Sequence, residues 1–142
     1  MIPLPYRVIL DTNFLFLPLT RRLDVFSEIE RLLSGRVQFI VLKPVRKELE
    51  RLSSKSYELG RKASFALRFL EKCEEVPVEL DGMETVDEAI VRIAKENRDI
   101  VATSDMALRK KLRDINVPVI YVRNCSKLEL EGFPEKNVAK TS

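Results

Sequence analysis

The chain has 142 residues, of which 45% are hydrophobic and 33% charged, and a formal net charge of +3. That length suits one domain with one substantial core, and that charge content excludes an integral membrane protein. With no histidine and two cysteines, an imidazole base, a Ser-His-Asp triad, a Cys-His pair and a structural zinc site are all excluded; catalysis must use carboxylates, hydroxyls, Lys, Arg or Tyr, or a hard cation held by oxygens.

Met1 to Tyr6 carries two prolines and no basic stretch, so no signal peptide is expected. Arg7 to Leu10 reads as a buried strand that stops at Asp11. The apolar run Val8 to Leu19 is broken by Asp11, Thr12 and Asn13 and is too short to span a bilayer. Leu23 to Leu33 is predicted helical, with Val25, Phe26, Ile29, Leu32 and Leu33 on one stripe and Gly35 as the stop. Val37 to Leu42 is a second strand, and Pro44 opens a short helix to about Leu52. A break at Ser53 to Ser56 precedes a helix from Tyr57 to Cys73. Val76 to Leu80 reads as an edge strand carrying Pro77, and Asp81-Gly82 as a turn. Thr85-Val86-Asp87-Glu88 has the capping-box pattern of a helix running to about Asn97. Ile100 to Thr103 is a buried strand, Met106 to Asp114 a basic helix and Val119 to Val122 a last strand. Periodicity is lost after Asn124, and Glu135 to Ser142 is expected as a mobile tail.

This alternation predicts the α/β class, with a parallel sheet of about five strands flanked by helices. One domain is expected over 1–142, with its core at about 7–123 and a C-terminal extension over 124–142. Cys73 and Cys125 are expected as reduced thiols of a cytoplasmic protein. Between Lys43 and Lys72 nine bases stand against four acids, and from Arg109 to Lys127 six stand against two acids within or beside the window, Asp114 and Glu129. Such clusters suit a polyanion partner, and equally suit plain solvated helix faces.

Asp11 and Asp105 each follow an apolar strand, so both are expected at the carboxyl edge of the sheet, where open α/β folds bind ligands. Asp87 falls in the first turn of a helix, and Glu48 one turn into another. Each has a plainer role available: a favourable helix dipole for Asp87, an N-cap for Asp105 or Ser104, a surface acid for Glu48. Asp11 is different, because an acid closing a buried strand is costly without a purpose. Converging carboxylates repel by about 4 kcal/mol per pair at about 4 Å. A divalent cation removes that cost, and it supports phosphodiester hydrolysis without any histidine.

Asp11-Thr12-Asn13 after a buried strand resembles the opening motif of PIN-domain nucleases. Pro44-Val45-Arg46-Lys47-Glu48-Leu49 resembles their second motif, and Asp87-Glu88-Ala89-Ile90 with Ala94 the third. Thr103-Ser104-Asp105, followed by Leu108 and Val119-Ile120-Tyr121, resembles the fourth. Each motif alone is weak; four in order, from Arg7 to Val122, are strong. The resemblance implies a three-layer fold, a pocket for Mg²⁺ or Mn²⁺, and an endoribonuclease acting on single-stranded RNA. Carried over, Asp11, Glu48, Asp87 and Asp105 would be the catalytic and metal-ligating acids, supported by Thr12, Asn13, Thr103 and Ser104. Arg46, Lys47, Arg51, Arg109, Lys110 and Lys111 would hold the RNA.

Val101 to Arg113 with Val117-Pro118-Val119-Ile120-Tyr121 resembles the PIN nucleases of small-subunit rRNA processing. So does Glu48-Leu49-Glu50-Arg51-Leu52 leading to Gly60, Ala63, Ala66 and Leu67. A pre-ribosomal particle is the partner this implies. Toxin nucleases of toxin–antitoxin operons share the four acids and are the alternative; a catalytically silent RNA-binding PIN scaffold is the third reading. PIN domains often dimerise, and the Tyr57 to Cys73 helix offers a face for a homodimer. Other folds fit less well. A receiver domain needs an acidic pair after its first strand, where Asp11 is followed by Thr12. A haloacid-dehalogenase-like phosphatase wants an Asp where Asn13 stands, and a P-loop or dinucleotide site wants glycines that Asp11-Thr12-Asn13 lacks.

Overall fold

The apolar runs of the sequence become the interior strands of a six-stranded sheet: β1 (Tyr6–Leu10), β2 (Val37–Leu42), β3 (Glu74–Val76), β4 (Ile100–Ala102), β5 (Val119–Arg123) and β6 (Lys127–Glu131). The computed structural model describes residues 4–55, 57–124 and 126–134. Strand order is β3-β2-β1-β4-β5-β6. The first five strands are parallel, and β6 runs antiparallel to β5. Val8, Ile9, Leu10, Ile40, Leu42, Ile100, Val101 and Ala102 are wholly buried, as continuous apolar strands covered on both faces should be.

Six helices connect and cover the strands: α1 (Leu17–Thr20), α2 (Val25–Leu33), α3 (Lys43–Ser53), α4 (Tyr57–Arg68), α5 (Val86–Asn97) and α6 (Met106–Asp114). Their apolar stripes supply Ile29, Leu49, Ile90, Leu108 and Leu112 to one core. Short 3₁₀ turns at Asn13–Phe16 and Phe69–Lys72 complete it, the first burying Phe14 and Leu15. The α5 capping box forms as read: Thr85 Oγ1 accepts from the Glu88 amide, and Glu88 accepts from the Thr85 amide. Among the described residues no helix is long and apolar enough to cross a membrane.

Several boundaries differ from expectation. α2 starts at Val25 because the Asp24 carboxylate caps it through the Ser27 amide, and Ser34 rather than Gly35 takes the left-handed turn at its end. The long helix from Tyr57 ends at Arg68 and tightens into a 3₁₀ turn. β3 lies before Pro77 instead of containing it: Leu42 pairs with Val76, and the next residue has no N–H to continue the ladder. The sheet has six strands, not about five, and it passes the expected core limit at residue 123. Lys127-Leu128-Glu129-Leu130-Glu131 alternates with period two and buries Leu128, a strand signal that loss of helical periodicity concealed. Cys73 is a free, half-buried thiol pushed up to about 12 by burial, which makes it unreactive. Cys125 and the expected tail over Glu135 to Ser142 lie outside the described residues.

β1 has β2 on one side and β4 on the other. The chain therefore builds outward from β1 in one direction, then returns and builds in the other. The carboxyl ends of β1 and β4 form the switch point, where the connections diverge and leave a crevice.

Candidate active site

Asp11 stands at that crevice. Its amide extends the β1–β4 ladder to the Ala102 carbonyl at 3.0 Å, so its side chain emerges where the two strands part. Oδ1 accepts the Thr12 amide at 2.8 Å and Oδ2 accepts the Thr103 hydroxyl at 2.7 Å. The same Thr103 oxygen accepts the Asp105 amide at 3.0 Å. A wholly buried threonine thus ties the end of β1 to the start of α6. Asp11 is only 4% exposed. Burial pushes its pKa up to about 6, against the pull of its two hydrogen bonds, and the charges of Asp87 and Asp105 push the same way.

The other acids gather around it. Asp105 caps α6, its Oδ1 accepting the amides of Ala107 at 2.8 Å and Leu108 at 3.2 Å; Oδ2 takes neither bond. Asp87 sits in the first turn of α5. Its pKa is raised by burial first and by Asp105 next; Glu48, half-buried on α3, adds to this, while Lys111 opposes it. Glu48 therefore joins the cluster through Asp87. None of these four carboxylates forms an ion pair among the described residues. Of the supporting residues, Thr12 is buried and its Oγ1 has no hydrogen-bond partner among the described residues. Asn13 opens the 3₁₀ turn and is exposed, as is Ser104.

Among the described residues no three acidic or cysteine side chains form a ready-made metal cage. The donor set still fits a hard cation. It is all oxygen, carries unneutralised charge, and has a buried hydroxyl without a partner beside its most buried carboxylate. Mg²⁺ asks for no cage: it usually takes one or two carboxylates and keeps several waters.

The expected RNA-holding bases divide into two groups. Arg46 is held by Glu50 and Glu75, and Lys110 by Asp114 at 2.9 Å, so both already have acidic partners. Arg109 is anchored through Nε to Glu131 at 3.1 Å. Lys111 is exposed and close enough to act on Asp87 and Glu88. Lys47 and Arg51 are exposed and form no ion pair among the described residues. A cleft of about 790 Å³ opens beside the acids, with Asn13, Thr103, Ser104, Asp105 and Arg109 in its wall. The same wall holds Arg21, Tyr121 and Arg123; in the sequence Tyr121 stood only within the fourth motif and Arg123 only as one base of a cluster. The position of Arg123 at the carboxyl end of a strand was a usable signal; nothing marked Arg21, which the turn after β1 brings in.

Comparison with known proteins follows the same lines. A family model described as a PIN-like domain matches residues 8–125. The chain is 37% identical over 130 residues to the ribonuclease VapC4 of Methanocaldococcus jannaschii, covering 90% of this chain and 98% of that one. It is 28% identical over 134 residues to the human rRNA-processing protein FCF1 homolog, covering 92% of this chain and 64% of that protein. A solved structure of the PIN domain endonuclease Utp24 superposes with a TM-score of 0.76 at 29% identity, covering 93% of this chain and 96% of that one.

Proposed function

The chain belongs to the PIN-like domain family, and from that we propose that it is a Mg²⁺- or Mn²⁺-dependent endoribonuclease hydrolysing phosphodiester bonds of single-stranded RNA. The observation that carries the reading is the Asp11–Thr103–Asp105 linkage at the sheet's switch point, with Asp87 close enough to act on Asp11 and Glu48 joined to the cluster through Asp87, none of the four in an ion pair among the described residues. Asp11, Asp87 and Asp105 would hold the cation, with Glu48 at the margin. When bound, such an ion lowers the pKa of a coordinated water and neutralises charge developing on the phosphodiester. The chain's own residues do the positioning. Thr103 fixes the Asp11 carboxylate through one oxygen and the Thr12 amide fixes the other. The α6 amides occupy one oxygen of Asp105, which leaves the second to ligate. Lys111 beside Asp87 meets the phosphate backbone.

In the cell we assign it to rRNA processing in the cytoplasm, with the pre-ribosomal particle as partner; the names of the FCF1 homolog and of Utp24 support this. A toxin-type ribonuclease is the second reading. It is favoured by the higher identity to, and the near-complete coverage of, a relative named simply as a ribonuclease. Sedimentation of the protein with pre-ribosomal particles supports the first role; growth arrest on expression, without such sedimentation, supports the second. Tyr57, Leu59 and Phe65 are exposed on α4, and we place a homodimer contact there, to be read by sedimentation velocity.

The activity itself is tested by incubating single-stranded RNA with wild type and Asp11→Asn, with Mg²⁺, Mn²⁺ or chelator. Cleavage is expected only with metal, and to fall at least about 100-fold in the variant. No cleavage by the wild type with either ion overturns the proposal, and unchanged cleavage by Asp11→Asn moves the chemistry to another site.

A further inference from the structure

The cleft beside the carboxylates differs from them in chemistry. Its lining includes Arg21, Arg109 and Arg123, against Asp105 as the one acid among the described residues. It also holds an aromatic ring: the Arg109 guanidinium carbon lies 3.5 Å from the Tyr121 ring centroid, a cation-on-ring contact. β6 fixes that stack from behind. Glu131 accepts Arg109 Nε at 3.1 Å, Glu129 accepts the Tyr121 hydroxyl at 3.1 Å, and Glu129 also takes Arg123 Nη1 at 2.9 Å. Glu129 and Glu131 are two apart on one strand, so both present to the same face of the sheet. The terminal nitrogens of Arg109 have no acceptor among the described residues, and Arg21 is exposed with no ion pair among them.

A surface that only attracts polyanions needs neither a ring nor acids that orient its arginines. A planar guanidinium fixed over an aromatic ring is a platform for a base, and a base can stack there only when it is not buried in a duplex. We propose that this cleft is a stacking subsite for one unpaired nucleotide of the RNA strand. The base lies against the Arg109–Tyr121 stack, and a flanking phosphate meets Arg21, the arginine of this wall that no described acid holds. The cleft's volume of about 790 Å³ falls within the usual range of small-ligand sites, about 300–1,000 Å³. Asp105 in its wall sets that nucleotide next to the acidic cluster. The inference rests on the reading of this chain as a protein that acts on RNA, and it makes strandedness a property of this wall.

The test is binding without turnover: fluorescence anisotropy of a labelled short oligouridine with the full chain in chelator, against unlabelled single-stranded and duplex RNA as competitors. Single strand is expected to compete better than duplex. Arg109→Lys keeps the charge and removes the plane, and is expected to weaken binding about five- to tenfold. Tyr121→Leu weakens it likewise, while Tyr121→Phe retains it. Arg21→Ala, at an exposed position, weakens it with an unchanged melting temperature. One abasic position scanned along the oligonucleotide is expected to weaken binding to the wild type at a single register, which needs no protein variant. Equal binding by Arg109→Lys and Arg21→Ala, a flat abasic scan, or duplex competing as well as single strand overturns the subsite. Cleavage that persists while these variants bind normally overturns the subsite alone. Cleavage absent from the wild type, with the binding losses as expected, overturns the nuclease reading alone.

Discussion

At the scale of single residues, the acidic cluster is held together by hydrogen bonds that also set its charge. Asp11 is buried enough to lift its pKa from an ordinary 3.8 to about 6. A carboxyl raised on folding stabilises the fold in its protonated form. Its contribution is complete below about pH 4 and is lost as pH rises through about 6. Above that range the metal-free protein carries a buried charge that Asp11→Asn removes. The variant is therefore expected to melt about 5 °C higher than the wild type at pH 8 without metal, with the gap closing towards pH 4 in a calorimetric scan. For the same reason cation affinity falls as pH drops below about 6, where a proton competes for Asp11. Thr103 serves two acids at once. Thr103→Val is expected to lower stability by about 2 kcal/mol in urea unfolding and to slow cleavage, while Thr103→Ser retains most of both.

Asp11, Asp87 and Asp105 stood out as candidates in the sequence because each sits where an apolar run stops or a helix starts, and a strand end is a place in space as well as in the chain; Glu48 stands in mid-helix and only its motif marked it. The partners of the bases were not legible. Arg46 looked free, yet Glu75, from the edge strand, holds it across 29 positions of sequence. Only the parallel pairing of β2 with β3 brings those two together.

At the scale of elements, helix faces and buried strands were readable from periodicity, while the two outer strands were not. β3 is three residues long and half-exposed, so it carries no apolar run to announce it. β6 alternates with charges because only one of its faces is covered. The packing of α3 against α4 depends on Gly60. A Cβ there would lie 2.0 Å from the Lys55 carbonyl oxygen, closer than any relaxed contact. Gly60→Ala is expected to cost about 3 kcal/mol or more, lowering the melting temperature by about 10 °C. The acidic cluster draws on the end of β1, the middle of α3, the first turn of α5 and the N-cap of α6, so a shift of α3 also moves Glu48.

At the scale of the molecule, the net charge of +3 matters less than where the charges stand. The carboxyl edge of the sheet carries the acids at the β1–β4 switch point and, beside them, an arginine-rich cleft. A polyanion approaching this edge meets the exposed Arg21 and Lys111 before it reaches the buried Asp11. Affinity for single-stranded RNA is therefore expected to fall steeply with salt. Lys111→Ala should shallow the slope of log affinity against log salt by about 0.7, measured by anisotropy from low to physiological ionic strength. The missing histidine fits this arrangement, since an edge built from oxygens and arginines relies on a hard cation and needs no imidazole.

Everything proposed for this edge depends on Asp11, Asp87 and Asp105 forming one divalent-cation site. Titration calorimetry of Mn²⁺ into the chain tests it most directly. The wild type is expected to bind Mn²⁺ at pH 7.5, with affinity falling and proton release rising as the pH is lowered towards 6, while Asp11→Asn binds at least about 10-fold more weakly. Equal binding by the wild type and Asp11→Asn, or no binding by the wild type at millimolar Mn²⁺, would contradict it.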